Sequence, residues 1–264
     1  MSAYDKVLAA RASDRAMGSF YIKEIIDNFI ELHGDRSFGD DGAIVGGVGY
    51  LDKRPVTVIA MHRGESLEER MKRNFGCPSP EGYRKALRLM KQAEKFGRPV
   101  ICFVGSPGAY CGITAEERGQ GQAIAQNLWE MAALEVPILT VVTGEGGSGG
   151  ALAIAVGDRI LMMENAVYSV ISPEGCAGIL WRDGAKAPEA AEALKITAPD
   201  LLRLGAIDAI VPEPEGGAQK NHKAAALAVK KAVLAALKEL AKIPVDQLVD
   251  ARYAKFRAMG NFYK

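Results

Sequence analysis

Residues 144–150 read GEGGSGG, five glycines in seven positions, between an apolar run (PILTVV, 137–142) and a small-residue run (GALAIAV, 150–156). Three chemistries fit this spelling. Gly144-x-Gly146-x-x-Gly149 matches a dinucleotide fingerprint, with Glu164 placed further on to hold a ribose. Against it, the motif lies in mid-chain and the helix that follows lasts only about two turns before Gly157-Asp158. Gly146-x-Ser148-x-Gly150 matches a nucleophile elbow, which needs an acid and then a histidine downstream. Only His222 follows, flanked by Asn221 and Lys223 at the polar entry to another helix, and Ser148 as a helix N-cap needs no catalysis. The third chemistry uses the main chain. Glycines opening a helix let two N–H groups point into one space without Cβ interference, and the helix dipole adds positive charge there. Such a pair is an oxyanion hole with no required side chain. Close packing of helix on strand also calls for glycines, but does not explain their concentration at this junction.

A second turn, SPGAYCG (106–112), follows another apolar run, PVICFV (99–104). Loops leaving the carboxyl ends of neighbouring strands in an α/β sheet face one crevice, so the two turns are expected to border a single site. An ordinary loop of turn formers would have the same composition.

The other reactive side chains are weaker candidates. His33, His62 and His222 adjoin neither turn and read as solvated or structural. Glu116 and Glu117 read as first-turn acids of a helix, favoured by its dipole, and Glu145 and Glu174 are further nearby acids that could have been bases. Arg63, Arg70, Lys72 and Arg73 could attract phosphates or an acidic partner. Balanced by Glu65, Glu68 and Glu69, they also read as a solvated helix face.

These turns need a scaffold. Residues 43–51 (AIVGGVGYL) and 55–61 (PVTVIAM) predict two strands joined at Asp52-Lys53-Arg54. A helix is expected from Ser79-Pro80-Glu81 to Lys95, its apolar Ala86, Leu87, Leu89, Met90 and Ala93 at helical spacing, with Gly97 ending it. The continuous runs PVICFV and PILTVV predict strands covered on both faces, with a helix over 116–134 between them. A short helix over 149–156, strands at 159–163, 166–169 and 206–211, and helices from Pro173 complete the body. The tail over 221–241 is Ala/Leu-rich and amphipathic. Strands alternating with helices imply a largely parallel sheet, though the recurrence of two strands and then a helix is unusual for a doubly wound one. We expect one domain over 1–264, with helical extensions at 1–33 and 221–264.

Composition narrows the function. The chain has 264 residues, 33 basic against 32 acidic side chains, 48% apolar and 7% aromatic residues. A charge near zero speaks against binding nucleic acid along a basic face. Cys77, Cys102, Cys111 and Cys176 contain no C-x-x-C pair, so no zinc ribbon is encoded, and a reducing cytoplasm is expected. The first eighteen residues scatter charges where a signal peptide needs an apolar run, and the most apolar window (136–157) is interrupted by Glu145 and glycines. Neither a leader nor a membrane span is expected.

Four blocks taken together carry more information: RNFGCPSPEGYRKALRLM (73–90), SPGAYCGITAEERGQ (106–120), GEGGSGGALAIAVGD (144–158) and YSVISPEGCAGILW (168–181). In this order they closely resemble the alpha subunit of the carboxyltransferase of bacterial multi-subunit acetyl-CoA carboxylase, from about Tyr21 to Ala218. Ser106 and Cys111 replace the family's usual Thr and Pro, and Gly121-Gln122 replaces Ser-Glu; neither change removes a main-chain donor.

The resemblance implies a crotonase-type fold of repeated ββα units. It implies transfer of a carboxyl group from carboxybiotin, borne on a separate biotin carboxyl carrier protein, to acetyl-CoA, giving malonyl-CoA for fatty acid biosynthesis. It also implies a beta subunit carrying a zinc ribbon and the other half of the site, biotin carboxylase in a larger complex, an α2β2 assembly, and no metal on this chain. Gly149 and Gly150 become the expected donors to the biotin oxygen, with Gly108, Ala109, Gly146 and Gly147 lining the crevice. The biotin anion left by decarboxylation can take the proton from acetyl-CoA, so no protein base is needed. A self-contained crotonase-type hydratase, isomerase or decarboxylase, and a non-catalytic scaffold subunit, remain as alternatives.

Overall fold

A computed structural model describes residues 1–260. Strands β2 (Ile44–Leu51) and β3 (Arg54–Met61) pair antiparallel in the expected hairpin. Its loop is two residues, not three: Asp52 and Lys53 carry φ of 48° and 67°, the pairing of left-handed residues that matches strand twist, and Arg54 is already in the ladder. Next come α3 (Leu67–Lys72), β4 (Val100–Ser106), β5 (Ile138–Gly147), β6 (Arg159–Met163), β7 (Val167–Ser169) and β8 (Ala209–Val211). The sheet order is β1-β2-β3-β4-β5-β6-β8, where β1 is Asp27–Glu31, and β7 pairs with the far end of β5. Every pairing from β3 onward is parallel. The continuous apolar runs are explained by this position: β4 and the first half of β5 lie inside the sheet, covered on both faces.

Helix α4 (Pro80–Lys95) crosses from β3 to β4 and buries Tyr83, Ala86, Leu89, Met90 and Ala93. The expected helix over 116–134 is two helices, α5 (Ile113–Glu117) and α6 (Gln120–Ala133). The break falls at Gly119, whose φ of 80° no continuous right-handed helix accepts. Glu117 therefore ends one helix and does not open another. The strand expected over 206–211 begins only at Ala209, and the short helix expected over 149–156 is α7 (Ser148–Leu152).

Both ends of the chain wrap this core. The N-terminal stretch holds α1 (Ala3–Arg11), started by a Ser2/Asp5 capping box, and α2 (Gly18–Ile25). It is not helical throughout, because residues 27–31 form β1 against β2. At the other end, α8 (Pro173–Trp181), α9 (Ala187–Leu194) and α10 (Ala198–Arg203) lead through β8 to α11 (His222–Leu240), capped by the Asn221 side chain, and to α12 (Val245–Arg257). The Arg252 side chain on α12 is buried, bonding the carbonyls of Met131 (2.7 Å), Leu134 (2.8 Å) and Val136 (3.0 Å) and both oxygens of Asp158 (2.9 and 3.0 Å). The end of α6 and the loop after it would otherwise bury carbonyls without donors. Among the described residues, no helix is long and apolar enough to cross a membrane.

Candidate active site

Strand β5 continues through Gly144–Gly147, five residues past the predicted end, because β7 pairs with Glu145, Gly146 and Gly147. These glycines therefore belong to a strand and not to a phosphate-binding turn, which removes the dinucleotide reading; Glu164 receives the Glu213 N–H instead of facing a ribose. Helix α7 starts at once. Its N-cap position is Gly147, and Ser148 is the first helical residue, with φ of 53°. The expected N-cap role of Ser148 is thus corrected: its backbone makes the sharp strand-to-helix bend. The shape is that of an elbow, but His222 bonds the Asp14 carbonyl at 2.7 Å and serves no triad.

The two turns meet main chain to main chain. A Cβ on Gly147 would lie 2.0 Å from the Pro107 carbonyl oxygen, and one on Gly150 2.3 Å from the Ala109 nitrogen. A Cβ on Gly146 would lie 2.8 Å from the Tyr168 ring. At these positions glycine is demanded by contact. Gly149 differs, since its Cβ would sit at an ordinary 3.7 Å from Ile124. On the facing loop, Ser106 Oγ donates to the Gly108 carbonyl (2.8 Å) and accepts its N–H (3.1 Å). The loop is held from behind by Gln120, a buried residue sequence reading passed over. Its Nε2 donates to the carbonyls of Pro78 and Tyr110, both at 2.8 Å.

Gly149 and Gly150 are the second and third residues of α7, so neither amide has an acceptor one turn back. Outside the helix itself, no acceptor for either N–H is found among the described residues. Gly149 forms the wall of a groove of about 280 Å³ with Ser148, Leu152, Tyr168, Leu201 and Ala206. Gly146 and Gly147 line a smaller cavity of about 60 Å³ on the other side of Ser148. Gly108 and Ala109 line neither; they bracket Gly150.

The charges behind the turn come from the chain's beginning, a contribution invisible to motif reading. Arg11 bridges Glu145 (2.7 Å) and Glu174 (2.8 Å), and the Tyr4 hydroxyl donates to Glu174 (3.1 Å). Burial alone would raise the Glu174 carboxyl, but the Arg11 guanidinium and Tyr4 hold it below its ordinary range. Arg15 is buried against Glu213 (2.6 Å) and donates to the Thr143 carbonyl (2.8 Å).

The members of the basic run each take a separate acceptor. Arg63 binds the carbonyls of Arg11 and Ala12, Arg70 that of Gly64, and Arg73 that of Gly42, while Lys72 pairs with Glu68 on an exposed face. Arg63 still feels the charge of Arg70, and Arg63 and Arg73 both act on His62. His33 pairs with Asp40, and His62 with the Ser19 hydroxyl, each at 2.9 Å; both stand away from the glycine turns.

A mostly parallel sheet with its short strand β7 set off the main order, pairing the far end of β5, is a crotonase-type α/β fold. Solved structures share this fold. The chain superposes with a TM-score of 0.72 on a transcarboxylase 12S, at 19% identity, covering 90% of this chain and 44% of that one. A Pseudomonas malonate decarboxylase hetero-tetramer gives 0.70 at 18% identity, covering 90% and 92%. Sequence comparison is more specific. Residues 1–260 match the family described as acetyl co-enzyme A carboxylase carboxyltransferase-like. The acetyl-coenzyme A carboxylase carboxyl transferase subunit alpha of Clostridium perfringens is 58% identical over 99% of this chain and 96% of its own length. That of Geobacter metallireducens is 59% identical over 99% and 82%. The chain belongs to this carboxyltransferase family.

Proposed function

We propose that this chain is the alpha half of a carboxyltransferase that moves a carboxyl group from carboxybiotin to acetyl-CoA. The observation that carries this reading is 58% identity along nearly the whole chain to relatives of that name. The site geometry supports it. Carboxybiotin supplies the carboxyl group and leaves an anion able to accept the methyl proton of the thioester. This chain's part is to hold the charge on the ureido oxygen with the Gly149 and Gly150 amides, each such donor worth roughly 2.7–4 kcal/mol in comparable sites. Leu152, Tyr168 and Leu201 offer apolar walls to a bicyclic ring and exclude water from it. Gly146 and Gly147 border the approach, and Gly108 with Ala109 keeps Gly150 in place. Residues 1–260 act as one unit in this reading, with Arg11 and Arg15 of the N-terminal segment supporting the turn from behind; the last four residues of the tail expected over 221–264 lie outside the described residues.

A beta subunit with a zinc ribbon would provide donors for the thioester oxygen, a biotin carboxyl carrier protein would deliver the substrate, and an α2β2 assembly working with biotin carboxylase in the cytoplasm would follow. Malonyl-CoA formation from carboxybiotin, measured with and without the beta subunit, is the test. Turnover is expected only with both chains present. Full activity of this chain alone would refute the divided site, and none with both chains would refute the function.

A further inference from the structure

Cys77 and Cys111 are unused by the chemistry above, yet the fold brings their two segments together. Tyr110 donates its N–H to the Pro78 carbonyl at 3.0 Å. The Gln120 Nε2 donates to the carbonyls of both Tyr110 and Pro78, at 2.8 Å each, so the two segments are tied directly and through one shared side chain. Cys77 precedes Pro78 and Cys111 follows Tyr110, so each cysteine stands one residue from this contact, and a disulfide joins cysteines whose Cα atoms lie about 4.4–6.8 Å apart. Burial first, and then the nearby Cys111 thiol with Glu145 and Asp41, push the Cys77 thiol up to about 11. Cys111 is exposed and Cys77 half-buried, while Cys102 and Cys176 are buried elsewhere.

We infer that Cys77 and Cys111 form a reversible disulfide that fastens the 106–112 loop to the 77–79 segment. The chemistry needs a low-molecular-weight disulfide as oxidant. The exposed Cys111 thiolate attacks one oxidant sulfur and expels a thiolate. Cys77, deprotonated as it reacts, then attacks the Cys111 sulfur of the mixed disulfide and expels the second. Two protein thiols are oxidised, the oxidant disulfide is reduced to two thiols, and the two protons pass to them. The inference goes beyond carboxyl transfer and does not depend on it.

The test is peptide mapping of the full chain after titration with oxidised glutathione, acid quenching and alkylation of free thiols. The expected product is a cross-linked peptide pair containing Cys77 and Cys111, lighter by two hydrogens, with Cys102 and Cys176 still alkylated. Dithiothreitol should return both thiols. In Cys77→Ala, glutathione should accumulate on Cys111, whereas Cys176→Ser should cross-link like the parent. Glutathione stable on Cys111 of the parent chain, a cross-link between two chains, or no loss of either thiol would each overturn the pairing. The mapping reads no activity, so a failed pairing and a failed functional assignment are separable.

Discussion

Two adjacent glycines separate the main-chain hypothesis from a side-chain one. Gly149 tolerates a methyl group without moving its neighbours, whereas at Gly150 the methyl would enter the backbone of Gly108 and Ala109. Gly149→Ala should therefore fold as the parent does, within about 0.5 kcal/mol in urea unfolding, and keep carboxyl-transfer turnover within severalfold, since its N–H stays in place. Gly150→Ala should lower kcat on the order of 10²-fold while still assembling with the beta subunit by size-exclusion chromatography; unchanged kcat would remove that amide from the chemistry. Arg11 offers a third measurement. Arg11→Gln leaves Glu145 and Glu174 without their cation, so negative charge grows behind the turn that is to hold an anion. We expect kcat to fall roughly fivefold, about 1 kcal/mol, with KM little changed. The glycines were legible in the chain because few other residue types can stand there. Arg11 was not, because nothing near it in sequence hints that Glu145 lies alongside.

At the scale of elements, the strands announced themselves where burial was complete. The runs at 99–104 and 137–142 could hardly be anything else, and the 43–61 hairpin was plain from its turn. What escaped was the extension of β5 to Gly147, which exists only because β7 returns to pair with it; glycine propensity argues for a turn, and a partner strand overrides it. The kink at Gly119 escaped for the opposite reason, an apolar spacing continuous enough to hide one left-handed residue. Helix α12 also gave no motif, yet Arg252 on it closes the carbonyls of 131–136 and meets Asp158. Arg252→Met should destabilise the chain by about 3–5 kcal/mol, because it strands a buried carboxylate and several carbonyls. Urea denaturation of the two proteins checks this, and a loss under 1 kcal/mol would contradict it.

For the molecule as a whole, two buried groups illustrate the response to acid. Burial, reinforced by Arg73 and Arg63 and opposed by Glu69, depresses His62 from 6.5 to about 4. The folded state therefore resists a proton that the unfolded state accepts. That stability is complete above pH 6.5 and is lost as pH falls towards 4, on the order of 3 kcal/mol at 1.36 kcal/mol per pH unit. Asp35 acts lower down. Burial would raise its carboxyl, but the N–H groups of Ser37, Phe38 and Gly39 and the Arg84 guanidinium bring it to about 2, so its contribution disappears below 3.8. Urea midpoints should be level from pH 8 to 7 and fall by pH 5, and His62→Gln should flatten that upper limb. A midpoint that rises on acidification would show the sign to be wrong.

The Arg15–Glu213 pair joins positions 198 apart, and between them, at mid-chain, lies the glycine turn. During synthesis that turn emerges with its early support already made and its late support still missing. A ribosome-bound chain halted before Glu213 would hold Arg15 uncompensated beside Thr143, so the order of translation itself delays completion of the pocket until Glu213 has been added.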